Sequence, residues 1–527
     1  MCFPVKIQSV FIFPAMTALP NEIKQRVSYT SKLICLSIVL LVLCSCSAQH
    51  HEYLNQNHQS VNAGCIISNE SIAGKIQLEN GIRGQVRFLG ETEDFSSIAN
   101  KMSEYKIPAV SLAVIKQGKI EWADIYQNMS FDEKQKLNCT SLFQAASLSK
   151  PVTLLAAVRM HAAGKLDLDE NIQHYLTDFE LPIGEQTVDN PVTFRNVFAH
   201  TSGITPGGYQ GYAQDQPIPS DLDILKGNSG VNSPAIVVIA PPNEKLAYSG
   251  GAYTLAELAL QDIFDNEFAS IMKKWILDPI GMKHSYFSQP LPVSKFNQVA
   301  KGYTHSGNVL AGGWHNHPEQ AAAGLWSNSV DMAKFLIEIY KAYQGKSSIL
   351  SQAEIKSLIS HERDGDAYGF RIERSDDGIS ITHYGGNAGY RTGMTINLTS
   401  GNGLVYLINS DNGGALGDEL FLSAAHVYNW KNFKQTEVYR KNADPHTLKG
   451  VVGKYKWNNQ VDLSIQFEEN NNFISLFFPN GDEYKLTPIT GSELEFIHQK
   501  TGVKVNFLKK DGIQSFYLYG QLAVKLN

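Results

Sequence analysis

Apolar residues recur along this chain at two spacings, and the places where one gives way to the other outline its organisation. From Glu93 to Tyr105, from Val152 to Met160, from Val330 to Tyr343 and from Leu416 to Trp430 they return every three or four positions, the period of a helix with a buried face. Ala109 to Ile115 and Lys119 to Ile125, joined across Gln117-Gly118, read as antiparallel strands, as do Tyr368 to Glu373, Ile379 to His383, Arg391 to Leu398 and Leu404 to Asn409. Lys75 to Glu79 and Ile82 to Val86 flank Asn80-Gly81, which predicts a hairpin. Thr254 and Glu257 form a capping-box pattern that predicts a helix opening there. Together these elements predict an α+β fold, an antiparallel sheet with helices packed on it.

The pattern changes again over the last 80 or so residues. Seven short runs (Val451 to Trp457, Val461 to Phe467, Phe473 to Phe478, Glu483 to Leu486, Leu494 to His498, Val503 to Leu508 and Ile513 to Tyr519) are separated by Asn458-Asn459, Asn480-Gly481, Thr501-Gly502 and Asp511-Gly512. Evenly spaced strands with hairpin turns predict a small all-β barrel or sandwich over residues 445–527. It carries no nucleophile constellation, so an accessory role is expected.

Composition narrows the function classes. At 527 residues, 43% hydrophobic and 18% charged, the chain can bury a large core. A net charge of −6 without a dense Lys/Arg run argues against nucleic acid as a partner. No Cys-x-x-Cys pair lies outside the N-terminal apolar region, which argues against a zinc ribbon or a thioredoxin-type site. His315-Asn316-His317 lacks a third ligand at a supporting spacing, so neither a metal nor any other cofactor is expected.

Residues 1–48 read as a targeting region. The apolar run Leu33 to Leu43 follows Lys24, Arg26 and Lys32, as a signal-peptide core follows its basic region, and is shorter than the roughly 20 residues a membrane span needs. Leu43-Cys44-Ser45-Cys46 resembles a bacterial lipobox with Cys46 as the lipidated residue, while Cys46-Ser47-Ala48 also fits an ordinary cleavage site. Export to the bacterial periplasm, or anchoring there as a lipoprotein, is expected, and such an anchor would be the only membrane contact. Residues 49–91 read as a tether and N-terminal extension, rich in His, Gln and Asn at first. Cys65 and Cys139 could pair in an oxidising compartment or stand as two buried thiols.

The candidate chemistry centres on Ser147-Leu148-Ser149-Lys150-Pro151. Positions three apart are neighbours on a helix, so the Ser147 hydroxyl and the Lys150 amine can share a proton, and Pro151 suits a first helical turn. Ser147 then stands at the positive end of the helix dipole beside backbone N–H groups able to hold an oxyanion. Tyr248, on the glycine-flanked turn Ala247-Tyr248-Ser249-Gly250-Gly251, can aim a phenol into a cleft and carry protons. In His383-Tyr384-Gly385-Gly386 the glycines at a strand end permit close approach of a ligand, and a strand N–H there could be a second oxyanion donor. Residues 205–240, rich in Gly, Pro, Asp and Tyr, are expected to shape the substrate mouth. His200-Thr201-Ser202-Gly203 reads as turn scaffolding.

Ser147-x-x-Lys150, Tyr248-Ser249-Gly250 and His383-Tyr384-Gly385, in this order and at this spacing, resemble the three motifs of the serine β-lactamase-related family, which includes class C β-lactamases, DD-carboxypeptidases, D-aminopeptidases and some esterases. The similarity extends through Ile107 to Val114, His200 to Gly203 and Ala323 to Ser327, and covers about residues 92–430. It implies a β-lactamase/transpeptidase-like fold with an all-helical subdomain beside the sheet, and the terminal strands resemble the small barrel often appended to such hydrolases. It also implies that Ser147 forms an acyl-enzyme, that Lys150 and Tyr248 move the proton, and that the N–H groups of Ser147 and Gly386 form the oxyanion hole. His383 takes the place of the lysine that β-lactamases carry in Lys-Thr-Gly. Gly250 replaces the asparagine of Tyr-x-Asn, removing an amide that binds acylamino side chains in relatives. Imidazole is largely uncharged above a pKa of about 6.5, so carboxylate anchoring is weakened and β-lactam hydrolysis is expected to be poor. The implied function is hydrolysis of an ester, a D-amino-acid peptide or a related amide. The alternatives are a β-lactamase or penicillin-binding DD-carboxypeptidase, and a catalytically weak binder of cell-wall ligands.

Overall fold

The computed structural model describes residues 65–67, 71–132, 135–467, 472–479, 481–491, 494–510 and 513–526, all within one compact unit, Asn62–Asn527. The apolar run Leu33 to Leu43, Cys46 with its lipobox, the tether up to Asn62, Asn480 and the Asp511-Gly512 turn lie outside the described residues. Among the described residues no helix is long and apolar enough to cross a membrane.

Eight strands form the central sheet: β1 (Ile66–Ile67), β2 (Ala109–Lys116), β3 (Lys119–Gln127), β4 (Asp366–Ala367), β5 (Phe370–Ser375), β6 (Gly378–Asn387), β7 (Tyr390–Asn397) and β8 (Gly403–Ile408). Their spatial order is β1-β3-β2-β8-β7-β6-β5-β4, every neighbour antiparallel. Alternate residues point to opposite faces of a strand, and here both faces are covered. Ala109, Ala113 and Ile115 join the larger core with Val152, Leu155, Phe335 and Leu336. Val110, Leu112 and Val114 face the other way, onto Leu78, Met102, Leu416 and Phe421. On the first face α6 (Ser329–Tyr343) packs against the strands, and α3 (Ser149–Ala162) and α4 (Gly250–Phe264) join the same core; the second face shares its core with α1 (Ile72–Asn80), α2 (Ile98–Glu104) and α7 (Gly413–Val427).

Two sequence expectations are corrected. Residues 72–80 form α1, not the first strand of a hairpin. Packing of Leu78 against the second core, with Lys75 paired to Glu79 and Asp124, outweighs the local Asn80-Gly81 turn signal. Helix α4 opens at Gly250 rather than at Thr254. Its cap is Ser249, whose Oγ accepts from the Ala252 amide at 2.9 Å. Thr254 and Glu257 lie inside the helix, and helix formation across three successive residues with small or no side chains places the Tyr248 turn one residue before its cap.

Cys65 and Cys139 are joined in a disulfide 74 residues apart in sequence, which settles the choice between pairing and two thiols. The bond ties β1, at the sheet edge, to the loop leading to Ser147. A crosslink over a loop of this length removes about 4 kcal/mol of unfolded-state entropy in the chain-entropy estimate. The Cys139→Ala variant is expected to melt several degrees lower than wild type in calorimetry, and reducing agent should lower the melting point of wild type only.

Past Val451 the chain forms a closed antiparallel barrel of eight strands, from Gly453–Trp457 to Gln521–Lys525, in which the first pairs with the last. The closing strand, Gln521–Lys525, lies beyond the seven runs legible in the sequence. Inward residues such as Tyr455, Leu476, Phe496, Phe507 and Phe516 fill the interior, leaving no open edge.

Candidate active site

Ser147 lies in a single 3₁₀ turn, Ala146–Leu148, which runs directly into α3. The residue before it, Ala146, has φ +52°, a left-handed conformation unfavourable for a residue with a side chain. It persists because its surroundings fix it. The Ala145 carbonyl accepts from Thr392 Oγ1 at 3.0 Å and the Ala145 amide donates to the Leu325 carbonyl at 2.8 Å. Ser149 Oγ donates to the Ala146 carbonyl at 2.6 Å and accepts from the Leu325 amide at 3.0 Å. This holds the Ser147 side chain at the mouth of an otherwise buried turn.

One helical turn on, buried Lys150 donates from Nζ to the Ala322 carbonyl at 2.8 Å and to Ser147 Oγ at 3.4 Å. It has no carboxylate partner among the described residues. The Ala322 carbonyl belongs to the short helix α5 (Gln320–Ala323), whose Ala321 amide donates to Glu257 Oε2 at 2.7 Å. Glu257 is fully buried in α4, and burial pushes its carboxyl well above the usual range.

Tyr248 is 47% exposed, and its ring centroid stands 4.8 Å from Lys150 Nζ. Its hydroxyl has no hydrogen-bond partner among the described residues, so the protein presents the ring to the amine and leaves the hydroxyl free. The ring packs on that of His200, centroids 4.3 Å apart. His200 Nδ1 accepts from the Ser249 amide at 3.1 Å, so His200 fixes the turn that carries Tyr248. Sequence reading set His200 aside as scaffolding. The missed signal is its type, an imidazole in an otherwise plain turn, and its contact with Tyr248 spans 48 positions.

Strand β6 forms the opposite wall. It pairs with β7 as far as Asn387, but with β5 only as far as Thr382. From His383 onwards one edge of β6 therefore has no strand partner among the described residues, and it faces the Ser147 turn. A Cβ at Gly385 would stand 2.8 Å from the Ala145 carbonyl oxygen, 3.0 Å from Ser147 N and 2.4 Å from Thr392 Oγ1, so only glycine allows this approach. Gly386 points the other way, where a Cβ would meet Arg391 Nη1 at 3.5 Å. His383 is buried, and burial, with the Lys150 charge acting in the same sense, pushes its imidazole down to about 3.

Gly250 offers the site no polar group. Its amide donates to the carbonyls of Pro206 and Gly207, and the Tyr209 ring covers it, 3.0 Å from where a Cβ would be. Tyr209 belongs to the loop expected to shape the mouth, and its hydroxyl pairs with Thr254 Oγ1 at 2.9 Å. His317 is buried as well, with His315 only partly so. Among the described residues Cys65, Asp124 and Cys139 form the one cluster of three side chains of metal-binding type, and both of its sulfurs are spent in the disulfide.

The family model described as Beta-lactamase matches residues 96–428, well over half of the chain. The chain belongs to the β-lactamase family. It is 22% identical over 434 residues to Penicillin-binding protein 4* of Bacillus subtilis (strain 168), covering 76% of this chain and 91% of that protein. It is 23% identical over 319 residues to Protein flp of Staphylococcus aureus (strain MRSA252), covering 59% of this chain and 61% of that protein, so the match spans less than two thirds of that relative. Among solved structures, the octameric penicillin-binding protein homologue from Pyrococcus abyssi superposes with a TM-score of 0.54 at 21% identity, over 81% of this chain and 98% of that one. That likeness is one of fold, and it extends the β-lactamase/transpeptidase-like architecture over most of the chain.

Proposed function

We propose that this β-lactamase-family chain is an exported serine hydrolase that turns over an uncharged ester, or a D-amino-acid peptide or related amide, through an acyl-enzyme. The observation that carries the reading is the placement of Lys150 Nζ between Ser147 Oγ and the Ala322 carbonyl, without an ion pair. Ser147 Oγ attacks the substrate carbonyl carbon and passes its proton to Lys150, the acting form of which is the neutral amine with a free lone pair. The oxyanion is held by the Ser147 N–H and by an N–H of the free β6 edge, that of Gly386. The bond to the leaving group breaks as the proton passes from Lys150 by way of the Tyr248 hydroxyl to the leaving group, which restores both the free amine and the phenol. Water then attacks the acyl carbon, and Ser147 leaves with its proton restored. Gly385 sets the distance between turn and strand.

Substrate preference follows from charge. With His383 neutral, this wall offers no cation to a carboxylate, so nitrophenyl esters are expected to turn over fastest and a chromogenic cephalosporin slowest. A fluorescent phosphonate should label the purified protein, and Ser147→Ala should abolish labelling. Labelling that survives in Ser147→Ala, or none in folded wild type, refutes the reading. The resemblance to Penicillin-binding protein 4* supports a second reading, a penicillin binder with negligible deacylation. It predicts a stable penicilloyl adduct by intact mass with no product accumulating.

A further inference from the structure

Two buried imidazoles border the same space beside Lys150, and the remaining hydrogen bonds fix which nitrogen of each carries the proton. The Ser249 amide can only donate, so His200 Nδ1 accepts and the hydrogen of the neutral ring lies on Nε2. The Tyr384 carbonyl can only accept, so His383 Nδ1, at 2.7 Å, carries the hydrogen and Nε2 keeps its lone pair. Both Nε2 atoms are buried and have no partner among the described residues. They converge over Gly369, where a Cβ would stand 3.3 Å from His200 Nε2 and 3.7 Å from His383 Nε2. Gly369 has φ +79°, and its amide is held by Asp366 Oδ1 at 2.8 Å, so the residue that keeps this space open is itself fixed.

We infer that the two Nε2 atoms form a subsite for one uncharged hydroxyl oxygen, which accepts from His200 and donates to His383. A divalent metal needs a lone pair from both rings, and His200 cannot supply one while its Nδ1 accepts from Ser249. A carboxylate would satisfy His200 but face the lone pair of His383. An ammonium would reverse the mismatch. Only a group that both donates and accepts, water or an alcohol, satisfies both nitrogens.

The other groups around the pair favour the neutral rings. Burial drives the His200 imidazole well below its usual range, and the Lys150 charge opposes protonation of both rings. Tyr248 and Tyr253 cover His200, and Phe370 stands edge-on to His383. The subsite deepens the hydrolase reading by favouring a substrate with a neutral hydroxyl near the reacting carbonyl over one with a carboxylate there.

The test begins on the full chain without substrate. Long-range ¹H–¹⁵N spectra at pH 7 should show His200 as the Nε2–H tautomer and His383 as the Nδ1–H tautomer, and a crystal structure should show one oxygen within hydrogen-bonding distance of both Nε2 atoms. The opposite tautomer on either ring, a charged ring at pH 6, or no shared oxygen overturns the inference. This arm does not depend on turnover, so it can fail while the hydrolase reading stands. The kinetic arm rests on that reading. His383→Gln can place an acceptor where Nε2 was, whereas His383→Asn keeps only a donor to Tyr384, so Asn is expected to lower kcat/KM about tenfold more than Gln. As inhibitors of ester hydrolysis, N-acetyl-D-alaninol should bind several-fold more tightly than N-acetyl-D-alanine in wild type and lose that advantage in His383→Asn. Equal losses in the two variants, or tighter binding of the carboxylate, overturns the subsite. In crystals, displacement of the resting water by the alaninol hydroxyl would identify substrate as well as water as its occupant.

Discussion

Gly385→Ala is expected to lower kcat/KM for a nitrophenyl ester by two to three orders of magnitude while the protein remains folded. The added methyl would stand 2.4 Å from Thr392 Oγ1, 2.8 Å from the Ala145 oxygen and 3.0 Å from Ser147 N, two of them backbone atoms that cannot rotate away. Relief must come from parting β6 and the nucleophile turn, which widens the spacing between the proposed oxyanion donors. Loss of one such donor typically costs about 10²–10³ in rate, the scale expected here. The contact between Thr392 and Ala145 that holds the strained Ala146 in place would be strained too. At Gly386 a Cβ meets only the end of the Arg391 side chain, at 3.5 Å, so Gly386→Ala should cost far less. Stopped assays and phosphonate-labelling rates on both variants, with circular dichroism to confirm folding, decide the matter. Equal activity of Gly385→Ala and wild type would remove the strand from the proposed site.

How much of this was legible in the sequence depended on the range of the interactions involved. The main strands and α6 carry their periodicity locally, and observed strands such as Ala109–Lys116 and Val461–Phe467 differ from expectation by at most a residue. The Ser147 and Lys150 pair is local too, because it depends on one helical turn. What the sequence hid was decided at a distance. Residues 72–80 carry a hairpin signal, yet they are helical because Leu78 and Lys75 meet partners from elsewhere in the chain. His200 looks like part of a turn until Ser249 and Tyr248 arrive beside it, and Tyr209 has no visible purpose until Gly250 leaves it room. The last barrel strand follows a Tyr519-Gly520 turn in which tyrosine adopts φ +50°, a conformation its side chain disfavours, so no usual turn signal announced it.

Glu319→Gln is expected to stabilise the protein at alkaline pH and to have little effect near pH 5. Glu319 is fully buried, and neither carboxylate oxygen has a partner among the described residues. Burial pushes its carboxyl up from 4.5 to about 8, with the charge of Asp221 adding to the rise. The native state therefore holds a proton between about pH 4.5 and 8 that the unfolded chain has already released. Stability must fall as pH rises through that window; the cost is absent below it and constant above it. A shift of this size corresponds to at most ~5 kcal/mol at pH 8, a change of roughly 5 °C in melting temperature for a protein of this size. Glutamine cannot ionise, so the melting temperatures of variant and wild type should converge near pH 5 and separate progressively up to pH 8, with the variant higher. Glu257 and Asp221 are also raised by burial and titrate in both proteins, so the difference between the two curves reports Glu319 together with its charge coupling to these two carboxyls. Glu319 immediately precedes α5, whose Ala322 carbonyl holds Lys150, so ionisation there strains the segment that positions the proposed base. Activity of the wild type should accordingly decline above pH 8 more steeply than that of Glu319→Gln. A pH-independent gap in melting temperature, or a variant less stable than wild type at pH 8, would show that the carboxyl has a charged partner in solution and that its burial carries no such cost.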